Sequence, residues 1–456
     1  MNFNSPEFLL FFPVVFALHW LLPHRLRSWM LLAASWMFYF WWNLWTGLLL
    51  VGSTLVSWLC AQGIHRSESR STKTALLVLA LVTSFGCLAV FKYANFFLST
   101  VGLTLPFSII LPVGISFYTF QTLSYVIDVY RGTVEAEPNF FHYALFVSFF
   151  PQLVAGPIER PENLLPQLKA QRHLSADCLE TGGWFLLRGY FKKIVVADAL
   201  APLADRVFLS PDTALGPEIL LASMLFGIQI YCDFSGYSDI ARGSAKLLGI
   251  DLMENFRNPY GAVTIRDFWR RWHISLTSWF TDYVYIPLGG NRKGLPRQVF
   301  NILVVFLLSG LWHGADWSFV VWGGLHGLYH AASILWSHGS HSFRVPAGLQ
   351  RLRTFLLVSF TWIFFRASSL ADAGILLSRL GTGWGTQSVL GLTWESTLRL
   401  GLILLCLQLM ERVPVRRKLT PAAAVATVFF MVTAICLGWL IVLSANGQNA
   451  FIYFQF

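Results

Sequence analysis

The residues best suited to chemistry are polar side chains set inside strongly apolar stretches. His313 lies in the segment Ser-Gly-Leu-Trp-His-Gly-Ala-Asp at 309–316, directly after an uncharged apolar run at 299–312. A neutral imidazole has one donor and one acceptor nitrogen, so it can take a proton from a hydroxyl and return it. Gly310 and Gly314 permit close backbone approach beside the ring. His313 is therefore a candidate general base, and the alternative is a structural histidine bonded across a helix interface.

Two further histidines, His326 and His330, lie in the next apolar run at 317–336. An ionisable side chain inside such a run is costly and by default marks function or a specific partner. We take His326 and Trp312 as candidate linings of a substrate tunnel. A structural hydrogen bond to a neighbouring helix is the alternative for the histidines.

A second polar cluster occupies 231–242, Tyr-Cys-Asp-Phe-Ser-Gly-Tyr-Ser-Asp-Ile-Ala-Arg, just after the apolar run 217–232. The crowding of polar side chains predicts one wall of a hydrated cavity. The alternative is the end of a membrane span with a local ion pair between Asp239 and Arg242 at i, i+3. The candidate substrate-binding residues here are Asp233, Ser235, Tyr237 and Ser238.

A third segment, Phe-Phe-Pro-Gln-Leu-Val-Ala-Gly-Pro-Ile-Glu-Arg at 149–160, interrupts an apolar run with prolines and a glycine. Such residues break helices, and irregular backbone at membrane depth is tolerated only where protein or a cavity covers it. Gln152, a further candidate for tunnel lining, and Glu159 would then face the interior. A simple helix-ending turn is the alternative.

These side chains must be positioned by membrane helices. Hydrophobic residues make up 55% of the chain, charged residues 12%, and the mean hydropathy is +0.57, whereas soluble domains carry about 25% charged residues. The apolar runs are continuous, which favours helices over an alternating strand barrel. We predict one all-α membrane-embedded domain over residues 1–456, with about 11–13 spanning or re-entrant helices. The expected spans are 8–22, 29–44, 47–63, 74–92, 108–127, 140–155, 181–207, 217–232, 299–312, 317–336, 353–367, 396–410 and 421–444.

The stretch 251–297 contains no run of spanning length but is rich in aromatic residues. Its apolar residues recur at helical spacing on one face: Ile265, Phe268, Trp269, Trp272, Leu276, Trp279, Phe280 and Tyr283. This pattern predicts an amphipathic helix in a membrane face, with His273 at the edge of its apolar stripe. Basic residues concentrate between Arg257 and Arg297, and the positive-inside rule makes this face cytoplasmic.

Charge and motif content exclude several classes of protein. The net charge is +10, but the basic residues stand in short clusters between apolar runs, which indicates anionic lipid as partner and not nucleic acid. The six cysteines are scattered without metal-binding spacing. The chain contains no phosphate-binding P-loop, no nucleophile elbow and no H-E-x-x-H pair. We therefore expect no metal and no bound cofactor.

Jointly, the motifs resemble those of the membrane-bound O-acyltransferase family, in the branch of alginate O-acetyltransferases and related polysaccharide acetylases. They fall in family order between about 112 and 330. The matching stretches are P-V-G-I-S-F-Y-T-F-Q at 112–121, F-F-P-Q-L-V-A-G-P-I at 149–158, Y-C-D-F-S-G-Y-S-D-I-A at 231–241, N-F-R-N-P-Y at 255–260, D-F-W-R-R-W-H-I-S-L at 267–276, Y-I-P-L-G-G-N-R-K-G at 285–294 and L-W-H-G-A at 311–315.

The resemblance implies a multi-pass protein of the bacterial inner membrane whose helices surround a central tunnel. It matches the family's catalytic histidine to His313 and a second histidine to His273. It implies an acyl group, by analogy acetyl, taken from a cytoplasmic thioester, either acetyl-CoA or an acyl carrier protein. The basic face, with Arg257, Arg270 and Arg271, suits such an anionic donor. The acceptor would be an exported polysaccharide, reached directly or through a periplasmic partner of the SGNH-hydrolase kind.

Two other functions remain open at this point. A transporter would also place polar residues at mid-membrane, although transporters often show inverted repeats with matched broken helices, which are not apparent in this sequence. A non-catalytic component of a glycan export complex is the other alternative.

Overall fold

The computed structural model describes residues 1–103, 109–338, 345–385, 390–412 and 451. Within these residues all regular secondary structure is helical. Four of the helical segments are long and apolar enough to cross a membrane, so the chain is a multi-pass helical membrane protein. They are Leu44–Arg66, Arg70–Thr100, Gly216–Leu247 and Leu295–His313. The predicted span at 421–444 lies outside the described residues.

The helices follow most of the predicted apolar runs. In chain order they are α1 (Pro6–Leu21), α2 (His24–Phe40), α3 (Leu44–Arg66), α4 (Arg70–Leu88), α5 (Ala94–Thr100), α6 (Ile115–Arg131), α7 (Phe140–Ser148), α8 (Phe150–Leu153), α9 (Pro161–Lys169), α10 (Ala176–Tyr190), α11 (Asp198–Phe208), α12 (Gly216–Leu247), α13 (Ile265–Trp269), α14 (Ile274–Phe280), α15 (Leu295–His313), α16 (Trp317–His338), α17 (Ala347–Arg366), α18 (Leu370–Arg379) and α19 (Trp394–Arg412). A π-helical turn, Phe191–Ala197, joins α10 to α11, and another, Ala89–Tyr93, joins α4 to α5.

The helices group into two compact units. The first comprises Met1–Leu186 and Tyr237–Met253, and the second comprises Leu187–Gly236 and Glu254–Phe456. The expectation of one membrane domain over the whole chain stays a prediction.

In the first unit, α3 packs against α4, α6 and α7. The hydroxyls of Ser57 on α3 and Tyr143 on α7 are 2.8 Å apart in the interior. At one end, the buried Glu137 accepts a hydrogen bond from Lys169 at 2.8 Å. Hydrogen bonds between buried polar groups thus join helices that apolar packing alone would leave free to slide.

In the second unit, α15 and α16 form a closely packed hairpin. A Cβ on Gly310 would lie 2.2 Å from the carbonyl oxygen of Phe319, and one on Gly323 would lie 2.2 Å from that of Phe306. Only glycine fits at these two contacts, and small residues of this kind let membrane helices approach closely. The hairpin fixes His313, at the end of α15, against the side chains of α16.

The predicted span 217–232 is too short. Helix α12 continues without a break to Leu247, so the alternative of a span end within 231–242 is wrong. Every side chain from 231 to 240 is buried. The predicted span ends just before Asp233, because hydropathy carries no information about a partner charge elsewhere in the chain.

The prediction of one continuous amphipathic helix over 265–283 is wrong. It is broken into α13 and α14, and His273 between them has a left-handed backbone with φ 44°. Seven of the eight stripe residues, all except Tyr283, are buried in protein. Aromatic periodicity marks a buried face but does not distinguish lipid from neighbouring helices, and here Trp269 packs on Phe306 and Trp322.

Candidate active site

His313 is the last residue of α15 and is 4% exposed. Its ring centroid lies 5.0 Å from that of Trp312, 5.1 Å from Trp322 and 5.4 Å from Phe365. The chain can leave the helix here because Gly314 takes an extended conformation with its Cα against the ring of Phe319. The imidazole is therefore held in one orientation by aromatic side chains from α15, α16 and α17.

The second histidine of interest, His273, lies within the same unit. Its ring centroid is 6.3 Å from that of His313 and 4.7 Å from that of Phe234, and the residue is 0% exposed. A left-handed backbone at a residue other than glycine costs of order 1–3 kcal/mol, and such strain clusters at functional sites. Asn255 stabilises the turn, since its side-chain oxygen accepts from the hydroxyl of Ser275 at 2.6 Å.

Burial lowers the pKa of His273 to about 3. The ring is therefore neutral at physiological pH and carries one N–H donor and one acceptor nitrogen. A neutral imidazole at this position can donate a hydrogen bond without itself becoming charged. The structure thus brings together two imidazoles, predicted from separate motifs, that can take complementary proton-transfer and hydrogen-bonding roles.

A cavity of about 320 Å³ lies in the same unit as this pair, although neither histidine is among the residues that line it. Arg266 and Arg270 line it, together with the aromatic side chains of Trp269 and Phe306. Ser309 also lines it, and Ser309 lies one helical turn before His313 on the same face of α15. The cavity therefore combines cationic groups, apolar walls and a serine one helical turn before the candidate base. His330 is a further lining residue.

The three basic residues predicted for the donor face do not form one surface. Arg270 lines the cavity, whereas Arg271 forms an ion pair with Asp267 at 2.8 Å and Arg257 forms one with Glu254 at 2.6 Å. The second arginine of the cavity is Arg266, on α13. The acidic partners of Arg271 and Arg257 lie four and three positions earlier in the chain, a spacing that the sequence shows. The cavity that Arg266 and Arg270 line also involves residues of α15 and α16, and the sequence gives no signal for it.

His326 is fully bonded within the protein. The indole N–H of Trp269 donates to its Nδ1 at 3.2 Å, and its Nε2 lies 2.9 Å from the hydroxyl of Thr361. That hydroxyl donates to the carbonyl of Val358 at 2.7 Å, so the proton of the imidazole must be on Nε2. His326 thus joins α13, α16 and α17 in a defined tautomer. Both ring nitrogens are engaged, which matches the structural alternative raised for this residue.

The candidate Asp233 belongs to a buried ion cluster. Its carboxylate lies 2.7 Å from Nζ of Lys193, which also lies 2.9 Å from Asp198. Ser235 is buried on the same helix. The adjacent Lys192 pairs with Glu411 at 2.7 Å and is 2% exposed. Both lysines lie within the predicted span 181–207, and the π-helical turn that carries them inward has no signal in its apolar pattern.

The remaining candidates belong to the first unit. The amide of Gln152 donates to the carbonyl of Phe146 at 2.8 Å, and the amide of Gln121 donates to the same carbonyl at 2.7 Å. This carbonyl lies where α7 ends before Pro151, so the two amides replace helical partners. Tyr237 stacks on Phe3 with ring centroids 4.6 Å apart. Ser238 is buried.

Residues 134–370 match the family model of MBOAT, the membrane-bound O-acyltransferase family. The chain belongs to this family. The protein is accordingly an acyltransferase of the membrane, as the motifs around His273 and His313 indicated, and the transport alternative loses its basis. In the part of the chain that the structure describes, no group of three His, Cys, Asp or Glu side chains is placed to hold a metal ion.

This O-acyltransferase is similar to several curated bacterial proteins. It is 40% identical to the probable alginate O-acetylase AlgI of Pseudomonas aeruginosa over 385 residues, which cover 82% of this chain and 73% of that protein. It is 36% identical to the peptidoglycan O-acetyltransferase of Helicobacter pylori over 411 residues, covering 81% and 78% of the two chains. It is 29% identical to the teichoic acid D-alanyltransferase of Bacillus subtilis over 239 residues, covering 50% and 58%.

Proposed function

We propose that this O-acyltransferase moves an acetyl group from a cytoplasmic thioester to hydroxyl groups of an exported polysaccharide, with His313 as general base. The observation that carries the proposal is the pair of buried imidazoles, 6.3 Å apart. Ser309, one helical turn before His313, lines a cavity that Arg266 and Arg270 also line. Acetyl as the acyl group and a glycan as the acceptor are supported by the names of the alginate and peptidoglycan relatives.

The reaction is a transfer of the acetyl carbonyl from sulfur to oxygen. The acceptor hydroxyl attacks the thioester carbonyl carbon while Nε2 or Nδ1 of His313 takes its proton. The tetrahedral intermediate carries a negative oxygen, and the N–H of the neutral His273 donates to it. Collapse breaks the C–S bond, and the imidazolium of His313 returns the proton to the thiolate. The products are an acetyl ester and a free thiol.

The donor enters through the 320 Å³ cavity in this proposal. Arg266 and Arg270 would bind the phosphate or carboxylate groups of an anionic donor, and the apolar walls would exclude water from the thioester. Acetyl-CoA and an acetylated acyl carrier protein both have this chemistry. Neither is a bound cofactor, since each leaves as the free thiol after one transfer.

The acceptor side of the proposal places the protein in a bacterial inner membrane, with its basic face in the cytoplasm. The polysaccharide hydroxyl would be acetylated directly or through a periplasmic, SGNH-hydrolase-like partner that carries the acetyl group onward. Acceptor-dependent transfer by the purified protein alone would favour the direct route.

The test of the proposal is His313→Ala in the purified protein. Thiol release from acetyl-CoA and from acetylated carrier protein is measured with and without acceptor glycan, and ester formation is followed by mass spectrometry. A general base contributes about 10²–10⁴-fold, so we expect at least about a hundredfold loss of transfer.

The matched control is His65→Ala, which removes an exposed histidine at the end of α3. It should retain wild-type activity. Both variants should show the wild-type elution volume and melting temperature. Transfer by a folded His313→Ala protein above about a tenth of the wild-type rate would defeat the assignment of this residue.

A further inference from the structure

The second unit contains another, larger cavity of about 860 Å³, which the proposed chemistry does not use. Three arginines from three different elements line it: Arg271 after α13, Arg351 on α17 and Arg412 at the end of α19. Leu404 and Leu405 of α19 form its apolar side. A cavity that combines clustered guanidinium groups with an aliphatic wall suggests a ligand that is itself anionic at one end and apolar at the other.

The charge of this cavity is carried by two of the arginines. Asp267 pairs with Arg271 at 2.8 Å, and the carboxylate of Glu411, also in the wall, pairs with the buried Lys192 at 2.7 Å. The two opposite charges within each of these ion pairs offset one another. Among the described residues, neither Arg351 nor Arg412 forms an ion pair with a carboxylate. These two exposed guanidinium groups therefore give the cavity a positive charge that its own acidic residues do not neutralise.

The apolar side of the cavity is continuous with a surface of the same unit that is suited to lipid. Leu398, Leu402, Leu405 and Leu409 follow one another at helical spacing on α19, and each is about half exposed. Leu405, 52% exposed, belongs both to this stripe and to the cavity wall. On α17 the exposed Leu349, Leu352 and Leu356 form a second such stripe beside Arg351. The cavity thus opens where an acyl chain in the bilayer could enter.

We propose that this cavity is a binding site for an anionic phospholipid of the cytoplasmic leaflet. The headgroup phosphate binds Arg351 and Arg412, whose planar guanidinium groups suit phosphate oxygens. An acyl chain lies along Leu404 and Leu405. Basic pockets between membrane helices on the cytoplasmic side recognise such headgroups, and the basic residues here mark that side. A water-soluble phosphate compound would satisfy the arginines but leave the leucine wall without a partner.

The experiment compares lipid retention by the full-length protein in nanodiscs and detergent. Native mass spectrometry and phosphate analysis measure bound phosphatidylglycerol against phosphatidylcholine of identical chain length. We expect the wild type to prefer phosphatidylglycerol, and the double variant R351E/R412E to lose about tenfold or more of this preference, since each basic residue contributes to attraction of an anionic headgroup. The milder pair R351Q/R412Q gives the same test with less disturbance should charge reversal prevent folding.

The matched control is R292E/K293E, which removes the same charge from exposed residues outside the cavity. It should keep the preference. Equal loss in the control, or full retention in R351Q/R412Q, would overturn the proposal, because attraction would then come from the whole basic face.

A competition arm separates a lipid from a soluble phosphate compound. Coenzyme A and inorganic phosphate, each at millimolar concentration, are added to protein loaded with phosphatidylglycerol. Retention of the lipid supports the proposal. Displacement by coenzyme A would overturn it and assign the cavity to a soluble phosphate ligand. Neither arm depends on transferase activity, so failure of the proposed reaction would leave this test intact.

Discussion

Two cavities of the second unit use neighbouring residues of one short segment in opposite ways. Arg270 lines the 320 Å³ cavity together with Ser309, and the next residue, Arg271, lines the 860 Å³ cavity beside α19. The first cavity has aromatic side chains in its wall, and the second has more guanidinium groups and an aliphatic wall. The basic residues that the sequence predicts as one donor-binding face are therefore divided between two cavities.

The largest effect expected in this comparison is at His273, between the segment of arginines and α14. His273→Ala removes the proposed oxyanion donor and should lower kcat by about 10²-fold, with little change in the KM of the donor. His273→Asn should recover part of the loss, since asparagine tolerates a left-handed backbone and its amide N–H can donate. Steady-state thiol release with varied donor distinguishes the two. Equal rates for both variants would contradict a hydrogen-bonding role.

Filling each cavity in turn tests which of them serves the reaction. Ser309→Phe places a ring in the wall of the first cavity, and we expect transfer to fall about tenfold or more because the reacting groups are misplaced. The matched variant Leu404→Phe places the same ring in the wall of the second cavity and should leave transfer near the wild-type rate. The measurement is the initial rate at saturating donor, with melting temperatures as a check on folding. The reverse pattern would move the donor to the second cavity.

Charge reversal separates the arginines themselves. Arg270→Glu, alone or with Arg266→Glu, should raise the KM of the donor about fivefold through lost charge pairing at an exposed site. The KM of the acceptor and kcat should change little. Arg292→Glu is the control for loss of positive charge outside the cavity and should leave the donor KM unchanged. An equal rise in donor KM for the control would contradict donor binding in this cavity, because the whole basic surface would then attract the donor.

The smallest effect on activity is expected for His326, beneath the wall of the first cavity. His326→Phe keeps the ring but leaves the indole N–H of Trp269 and the hydroxyl of Thr361 without this partner. A buried polar group left unsatisfied costs about 1–3 kcal/mol, so the melting temperature should fall while the rate per folded molecule changes little. The control is Leu328→Ala, a change at an exposed apolar residue of the same helix, which should leave both the melting temperature and the rate near the wild-type values. A rate loss comparable to that of His313→Ala would give His326 a part in the chemistry.

The sequence anticipates the helical framework well because membrane helices must bury continuous apolar runs. It also identifies the break near Pro151, since a residue without an N–H cannot extend a helix. It cannot anticipate that α12 passes intact through Asp233, because the charge that stabilises this carboxylate is Lys193, forty positions away on another helix.

The sequence likewise predicts some features of the candidate site and not others. The motifs identify His313 and His273 as histidines of interest, but the left-handed turn at His273 depends on Asn255 and on the aromatic side chains around it. The assignment of Arg270 and Arg271 to different cavities depends on which helices pack beside them. Tertiary contacts determine these features, and local patterns of residue type do not predict them.

The π-helical turn at Phe191–Ala197 has a consequence for the order of assembly. The side chains of Lys192 and Lys193 are both buried at this turn. Lys192 forms an ion pair with the carboxylate of Glu411, near the C-terminal end of α19. Ribosomes synthesise that carboxylate long after the lysine, so the early helices of this unit enter the bilayer before the ion pair exists. Breaking a buried pair costs about 3–5 kcal/mol. Docking of α19 on the π-helical turn is thus the step at which the buried Lys192 gains this ion-pair partner.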